Sequence, residues 1–227
     1  MQPVKFTDLG LRDYKETWDL QKQALEKLTR AKTSTSDPEA LPCLFFVEHP
    51  HVYTLGKSGH ENNLLIQPPF LASIGATYYR IDRGGDITYH GPGQIVGYPI
   101  FDLDRFGLGV KKYIDKLEEA IILALDESGI RASRLENATG VWLEKDNASQ
   151  TRKICAIGVK VSRSVTMHGF ALNVNTDLSY FNYINPCGYT DKGVTSMQKE
   201  RGARQDMQEV KQCLLKHLAA QFGFEIA

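Results

Sequence analysis

Residues 83–97 read RGGDITYHGPGQIVG, and their five glycines limit more than any other stretch what this chain can fold into. A dinucleotide-binding turn needs G-x-G-x-x-G between a strand and a helix, so that the helix N-terminus presents its amides to a pyrophosphate. Here Gly91, Gly93 and Gly97 are spaced G-x-G-x-x-x-G, Pro92 removes an amide donor, and the strand-like run QIVGYPIFDL follows instead of a helix. The phosphate-loop pattern G-x-x-x-x-G-K-S/T is also absent. Glycines in and beside strands serve a different end, the close approach of a backbone to a ligand or to a neighbouring strand. In that setting Arg83 can hold a carboxylate or phosphate in a forked geometry, and His90 can donate, accept or titrate near neutral pH. A glycine-rich hairpin with a surface arginine and a core histidine fits the local sequence equally well.

The surrounding pattern mixes strands and helices. A short strand near Val4 to Thr7 precedes an amphipathic helix from about residue 11 to 30, with Tyr14, Trp18, Leu25 and Leu28 on one face. The polar stretch AKTSTSDPEALP reads as a surface loop. CLFFVEHP reads as a buried strand that Pro50 ends, entering a loop that runs through LGKSGHENN. ATYYRID and QIVGYPIFDL are further strands. From about 110 to 128, Val110, Ile114, Leu117, Ile121 and Leu125 step by three or four before Gly129, which predicts a helix and its stop. VWLE, KICAIGVKV and TMHGFALNV follow as strands, and Val210, Leu214 and Leu218 predict a last helix from about 206 to 221. Strands and helices without strict alternation predict an α+β fold, a mixed or antiparallel sheet with flanking helices. Length allows one domain over 1–227, with room for a small C-terminal subdomain after about residue 185.

Charge and composition exclude several classes. The chain carries 27 basic and 27 acidic residues, a balance that predicts neither a nucleic-acid nor a membrane partner. Its longest apolar run, Ala120 to Leu125, is far below the roughly 18 to 20 residues of a membrane span. The N-terminus has no apolar segment flanked by basic residues, so a secretory signal is not expected. Cys43, Cys155, Cys187 and Cys213 form no C-x-x-C pair, and reduced thiols in a cytoplasmic protein are expected.

RGGDITYHGPGQIVGYPIFDL resembles the signature of lipoyl-protein octanoyltransferases, and four more blocks follow the family in order: EHPHVYTLGK (48–57), RKICAIGVKVSR (152–163), MHGFALNVNTDL (167–178) and NPCGYTDKGVTSM (185–197). This resemblance implies the fold of the biotin and lipoate protein ligase catalytic domains. It also implies transfer of an octanoyl group from octanoyl-acyl carrier protein to a lysine of a lipoyl domain, the first step in making protein-bound lipoate. The expected acceptors are the lipoyl domains of 2-oxoacid dehydrogenase E2 subunits and the glycine cleavage H protein. No ATP, metal or other cofactor is expected, since the donor itself carries phosphopantetheine.

By the same resemblance the acyl-accepting cysteine falls on Cys187 and its partner lysine on Lys153. The substrate-contacting segments fall on Arg83, Gly84, Gly85, Asp86, Ile87, Thr88, Tyr89 and His90, on Ala156, Ile157 and Gly158, and on Gly169, Phe170 and Ala171. Thr35 to Leu41 and Glu144 to Gln150 match no family motif.

A cysteine with a pKa near ~8.5 is only slightly ionised at neutral pH, so an adjacent lysine could stabilise the thiolate or, if desolvated, serve as a base. Local geometry alone offers Cys155 as a rival, because residues 153 and 155 of a regular strand share a face with α-carbons about 6.5 to 7 Å apart. Cys43, Cys155 and Cys213 also suit packing roles. His49, His51 and His60 match no metal spacing, and His168 and Tyr98 are pocket or core candidates. Arg152, Lys153, Lys160 and Arg163 place positive charge along one strand, either a docking patch for an acidic carrier or a solvated edge. Two other functions share parts of this pattern: an ATP-dependent lipoate or biotin protein ligase, and a non-catalytic acyl-carrier-binding module.

Overall fold

A computed structural model describes residues 1–32, 40–185 and 192–227. Most of the polar stretch after Lys32 therefore lies outside the described residues. The large sheet has the order β12-β1-β2-β6-β10-β9-β8-β7, with β11 beside β9, nine strands among the described residues. Its strands are β1 (Gln2–Leu11), β2 (Cys43–Glu48), β6 (Gln94–Ile100), β7 (Ser133–Leu135), β8 (Ala138–Leu143), β9 (Arg152–Ser162), β10 (Val165–Asn173), β11 (Gly193–Val194) and β12 (Phe224–Ile226). The middle of the sheet is antiparallel, whereas β1 runs parallel to both β2 and β12, and β11 runs parallel to β9. The predicted mixed sheet with flanking helices is what the chain forms.

Alternation along the central strands decides what each face buries. Leu44, Phe46, Ile95, Phe170 and Leu172 point to one side, where they meet α3 (Val110–Glu127) and α5 (Met207–Phe222) through Leu117, Ile121, Leu125, Leu214 and Leu218. Cys43, Val47, Val96, Tyr98 and Ala171 point to the other, under α1 (Tyr14–Ala31) and its Leu28. All three helix positions agree with the sequence pattern. Asp13 caps α1 and Asp206 caps α5 by accepting from first-turn amides. Gly129 and Gly223, at φ +75 and +69, follow the ends of α3 and α5 in the left-handed conformation.

A second sheet, β4-β3-β5, comprises β3 (Val52–Leu55), β4 (Thr77–Arg80) and β5 (Ile87–His90). The stretch after Pro50, expected to be loop, thus contains a central strand whose four residues are all buried. The reason is its position: pairing with β4 on one side and β5 on the other turns VYTL into the spine of the small sheet. Short helices α2 (Pro68–Ser73) and α4 (Met197–Arg201) complete the chain. No helix among the described residues is long and apolar enough to cross a membrane.

Candidate active site

The two sheets meet along the glycine-rich segment. Gly84 N donates to Val159 O on β9 at 2.9 Å, so the 83–86 loop lies directly across that strand. A Cβ on Gly158 would stand 2.9 Å from Gly84 O, and one on Gly169 would overlap Gly97 O. Close approach of backbone to backbone is therefore one purpose of these glycines. The other is exposure of the same strands to a cleft of about 300 Å³ between the sheets.

Of the expected substrate segments, Arg83, Gly85, Asp86, Ile87, Thr88, His90, Ala156, Ile157, Gly158, Gly169, Phe170 and Ala171 line this cleft together with Lys153. Gly84 and Tyr89 do not. Tyr89 is fully buried in the small sheet, stacked on Tyr180 at 5.0 Å, with its hydroxyl 2.7 Å from His51 Nδ1. Cys187 lies outside the described residues. Tyr98 lines the cleft and is buried as well, its hydroxyl donating to His49 Nε2 at 2.9 Å.

Lys153 reaches the cleft through a β-bulge. Val141 of β8 pairs with Cys155 and Trp142 pairs with Lys153, which leaves Ile154 as an extra residue on β9. Ile154 and Cys155 consequently both enter the main core, while Lys153 and Ala156 both line the cleft. This corrects the expectation that residues 153 and 155 share a face. Cys155 is fully buried, its thiol pushed far up by desolvation, which suits packing and not nucleophilic attack. Lys153 Nζ lies 4.4 Å from the centroid of the Trp142 ring, an arrangement that favours a cation. Beside the lysine stem is Gly140, at φ +122, whose amide donates to buried Glu118.

The polar groups of the cleft are held in fixed states. Gln94 Nε2 donates to Tyr89 O and to Asn173 Oδ1, so its Oε1 faces His90 and accepts from Nδ1–H at 2.8 Å. Burial, then the nearby His49, pushes the His90 pKa down to about 3, so the ring is neutral with its lone pair on Nε2. Asn173 donates onward to Thr195 O, and Thr195 N donates to Lys153 O. One chain of bonds thus runs from His90 through Gln94, Asn173 and Thr195 to the backbone of Lys153. Arg83 directs its guanidinium to Thr54 O at 2.7 Å and Gly84 O at 3.0 Å, which gives this residue a structural duty in addition to its place in the wall. His168, at φ +62, donates from Nε2 to Asp82, and burial keeps its pKa low even so.

Sequence reasoning missed Trp142, Gln94, Asn173 and Tyr14 in the lining. Gln94 and Asn173 carried a usable signal, polar side chains at the ends of apolar strand runs that must find partners when buried. Of the four positive residues along and just after β9, two are held in ion pairs: Arg152 binds Glu200 at 2.6 Å and Lys160 binds Asp82 at 2.5 Å.

Comparison with known proteins adds what geometry alone does not. Residues 13–219 match the lipoyl protein ligase A/B catalytic domain family. An octanoyltransferase of Bacteroides fragilis is 58% identical over 94% of this chain and 96% of its own length. An octanoyltransferase of Cytophaga hutchinsonii is 55% identical over 98% of this chain and 94% of its own. Among solved structures, an archaeal lipoylation system from Thermoplasma acidophilum, a bi-partite lipoate protein ligase and its E2 lipoyl domain, superposes with a TM-score of 0.71 at 14% identity, covering 100% of this chain and 86% of that one. That likeness extends to the fold, and the two close relatives carry the narrower assignment: the chain belongs to the octanoyltransferases of the lipoyl protein ligase A/B catalytic domain family.

Proposed function

We propose that this acyltransferase takes its octanoyl group from octanoyl-acyl carrier protein and delivers it to a lysine of a lipoyl domain, with Cys187 as the acyl carrier and Lys153 as its partner. The observation that carries this reading is the bulge at Ile154, which turns a lysine out of a core strand into a cleft with apolar walls. A titratable amine lining a largely apolar cleft is placed where it can act on a bound substrate.

In the first step the Cys187 sulfur attacks the donor's thioester carbonyl. The new C–S bond forms, the old one breaks, and the carrier's phosphopantetheine leaves as a thiol with the proton that Cys187 gave up. In the second step the neutral amine of the acceptor lysine attacks the Cys187 thioester, a C–N bond forms, and the Cys187 sulfur leaves and regains a proton. Lys153 supports both steps as the neighbouring cation or as the proton relay, and the two groups titrate as one unit. A thioester is exchanged for a thioester and then for a more stable amide, so neither step requires ATP.

Lipoyl domains of 2-oxoacid dehydrogenase E2 subunits and the glycine cleavage H protein are the proposed acceptors, and the cytoplasm the proposed site of action. The test is incubation with octanoyl carrier and an apo lipoyl domain, without ATP, followed by intact-mass measurement of all three proteins. An octanoyl adduct on Cys187 and a modified lipoyl domain are expected. Full transfer by Cys187→Ser would overturn the covalent route, and transfer only with ATP and free octanoate would identify a ligase instead.

A further inference from the structure

On the face of the molecule formed by α3 and α5, Glu127, Cys213 and His217 bring a carboxylate, a thiol and an imidazole together, their ligand atoms all within 4.8 Å of one another. Cys213 and His217 are four residues apart on α5, so both project from one side of the helix. Glu127 is the last residue of α3 and faces them, with Oε2 3.3 Å from Cys213 Sγ and Oε1 2.8 Å from His217 Nε2. We propose that these three side chains form a binding site for a divalent transition metal of borderline softness, Zn²⁺ above all, that clamps the C-terminal helix to α3.

The three groups lie close enough together to reach one ion. A tetrahedral Zn²⁺ with one sulfur, one nitrogen and one oxygen ligand spaces those atoms about 3.4 to 3.6 Å apart. The Sγ–Oε2 and Nε2–Oε1 separations of 3.3 and 2.8 Å end on the two different oxygens of Glu127, so metal binding requires the carboxylate to turn and the nitrogen–oxygen edge to open by about 0.6 Å, while the hydrogen bonds along both edges already hold Cys213 and His217 to Glu127. One thiolate, one imidazole and one carboxylate suit zinc, and copper or cobalt less selectively, while they disfavour magnesium and calcium, which prefer oxygen. The position at the C-terminal end of α3 adds the negative end of that helix dipole. None of the three side chains lines the cleft.

Binding has a definite proton and charge balance. Cys213, whose thiol burial and Glu127 push up to about 11, must release its proton as the metal–sulfur bond forms. Lys216, 2.5 Å from Glu127 Oε1 and 65% exposed, must swing away into solvent. His217, whose Nε2–H now donates to Glu127 Oε1, must carry its ring proton on Nδ1 instead to offer the Nε2 lone pair to the metal.

Cobalt provides the readout, because a Co²⁺–thiolate bond gives a charge-transfer absorption that Zn²⁺ then abolishes by displacement. Titration of the full chain with CoCl₂ should raise this band to saturation at one equivalent, in the wild type and in Cys187→Ser. Cys213→Ser and His217→Ala should each remove or weaken it at least tenfold in affinity, and ZnCl₂ should raise the melting temperature of the wild type but not of Cys213→Ser. A band that survives Cys213→Ser, or no band below millimolar cobalt, would overturn the proposal. Glu127→Gln, a change on the exposed surface, gives a third variant should either α5 substitution disturb folding.

Discussion

Trp142 lies fully buried beneath Lys153, with the lysine nitrogen 4.4 Å from its ring centroid and the indole N–H donating to Ala138 O at 2.9 Å. The ring is locked by its own hydrogen bond and in turn fixes where the lysine ends. A cation over a Trp face gains about 0.5 to 2 kcal/mol. Trp142→Leu is therefore expected to lower the single-turnover rate of octanoyl transfer by about tenfold. Trp142→Phe keeps an aromatic face and should lose less. Equal rates for Leu and Phe would show that packing, and not the ring face, positions Lys153.

Much of this arrangement was legible in the sequence, and the parts that were not share a cause. The stripe on α3 and the two long strands β9 and β10 follow from side-chain period alone. The bulge does not, because K-I-C-A-I reads as regular alternation and only pairing with β8 reveals that Ile154 is extra. β3 was hidden in the same way: VYTL is four residues between Pro50 and Gly56, and it becomes a strand through partners far along the chain. The motif blocks located the cleft walls, yet several of their residues hold one block to another. Glu48 of EHPHVYT accepts from Gly93 N in the GPG turn, and His49 binds Tyr98. A local pattern cannot distinguish a residue that touches substrate from one that braces the wall behind it.

Gly169 faces Gly158 across β10 and β9, and its missing side chain leaves room for the carbonyl of Gly97 and the ring of Pro99. A methyl group there would meet Pro99 Cδ at 2.7 Å and overlap a backbone oxygen that cannot rotate away. Gly169→Ala should destabilise the protein by about 1 to 3 kcal/mol, as overpacking does in a close-packed core. Urea unfolding gives the number. A variant as stable as the wild type would mean that β6 shifts freely, contrary to its place in the middle of the sheet.

Buried histidines, His49 and His90 above all, make stability sensitive to mild acid. Burial lowers the His49 pKa to about 4 and the His90 pKa to about 3, against about 6.5 in an unfolded chain. Between these values the unfolded chain binds more protons than the native one, so the stabilising contribution is complete above about pH 6.5 and is lost as the pH falls toward 4. For His49 alone the loss amounts to about 3 kcal/mol at most. Unfolding free energies measured from about pH 7.5 down to about pH 4.5 should fall accordingly. His49→Gln, which does not titrate, should flatten part of that slope; an unchanged slope would show that His49 protonates without cost in the folded protein.

Glu200 holds the short strand β11 against β9. Its carboxylate accepts from Arg152 Nε and Nη2 at 2.7 and 2.6 Å and from Thr195 Oγ1 at 2.5 Å. Gly193 and Val194, paired with Arg152 and Lys153, line the cleft beside the lysine. Glu200→Gln keeps the shape but removes the charge from a forked pair that is only partly exposed, a loss of about 1 to 3 kcal/mol. Two readouts separate local from global damage. Exchange of the Thr195 amide, which donates to Lys153 O, should accelerate by one to two orders of magnitude, while amides of the central strand β10 keep their protection. Transfer activity should fall along with that local protection, since a loosened β11 leaves one wall of the cleft undefined. Uniformly faster exchange across β10 would instead mean that Glu200 contributes to the whole fold and has no particular part in shaping the site.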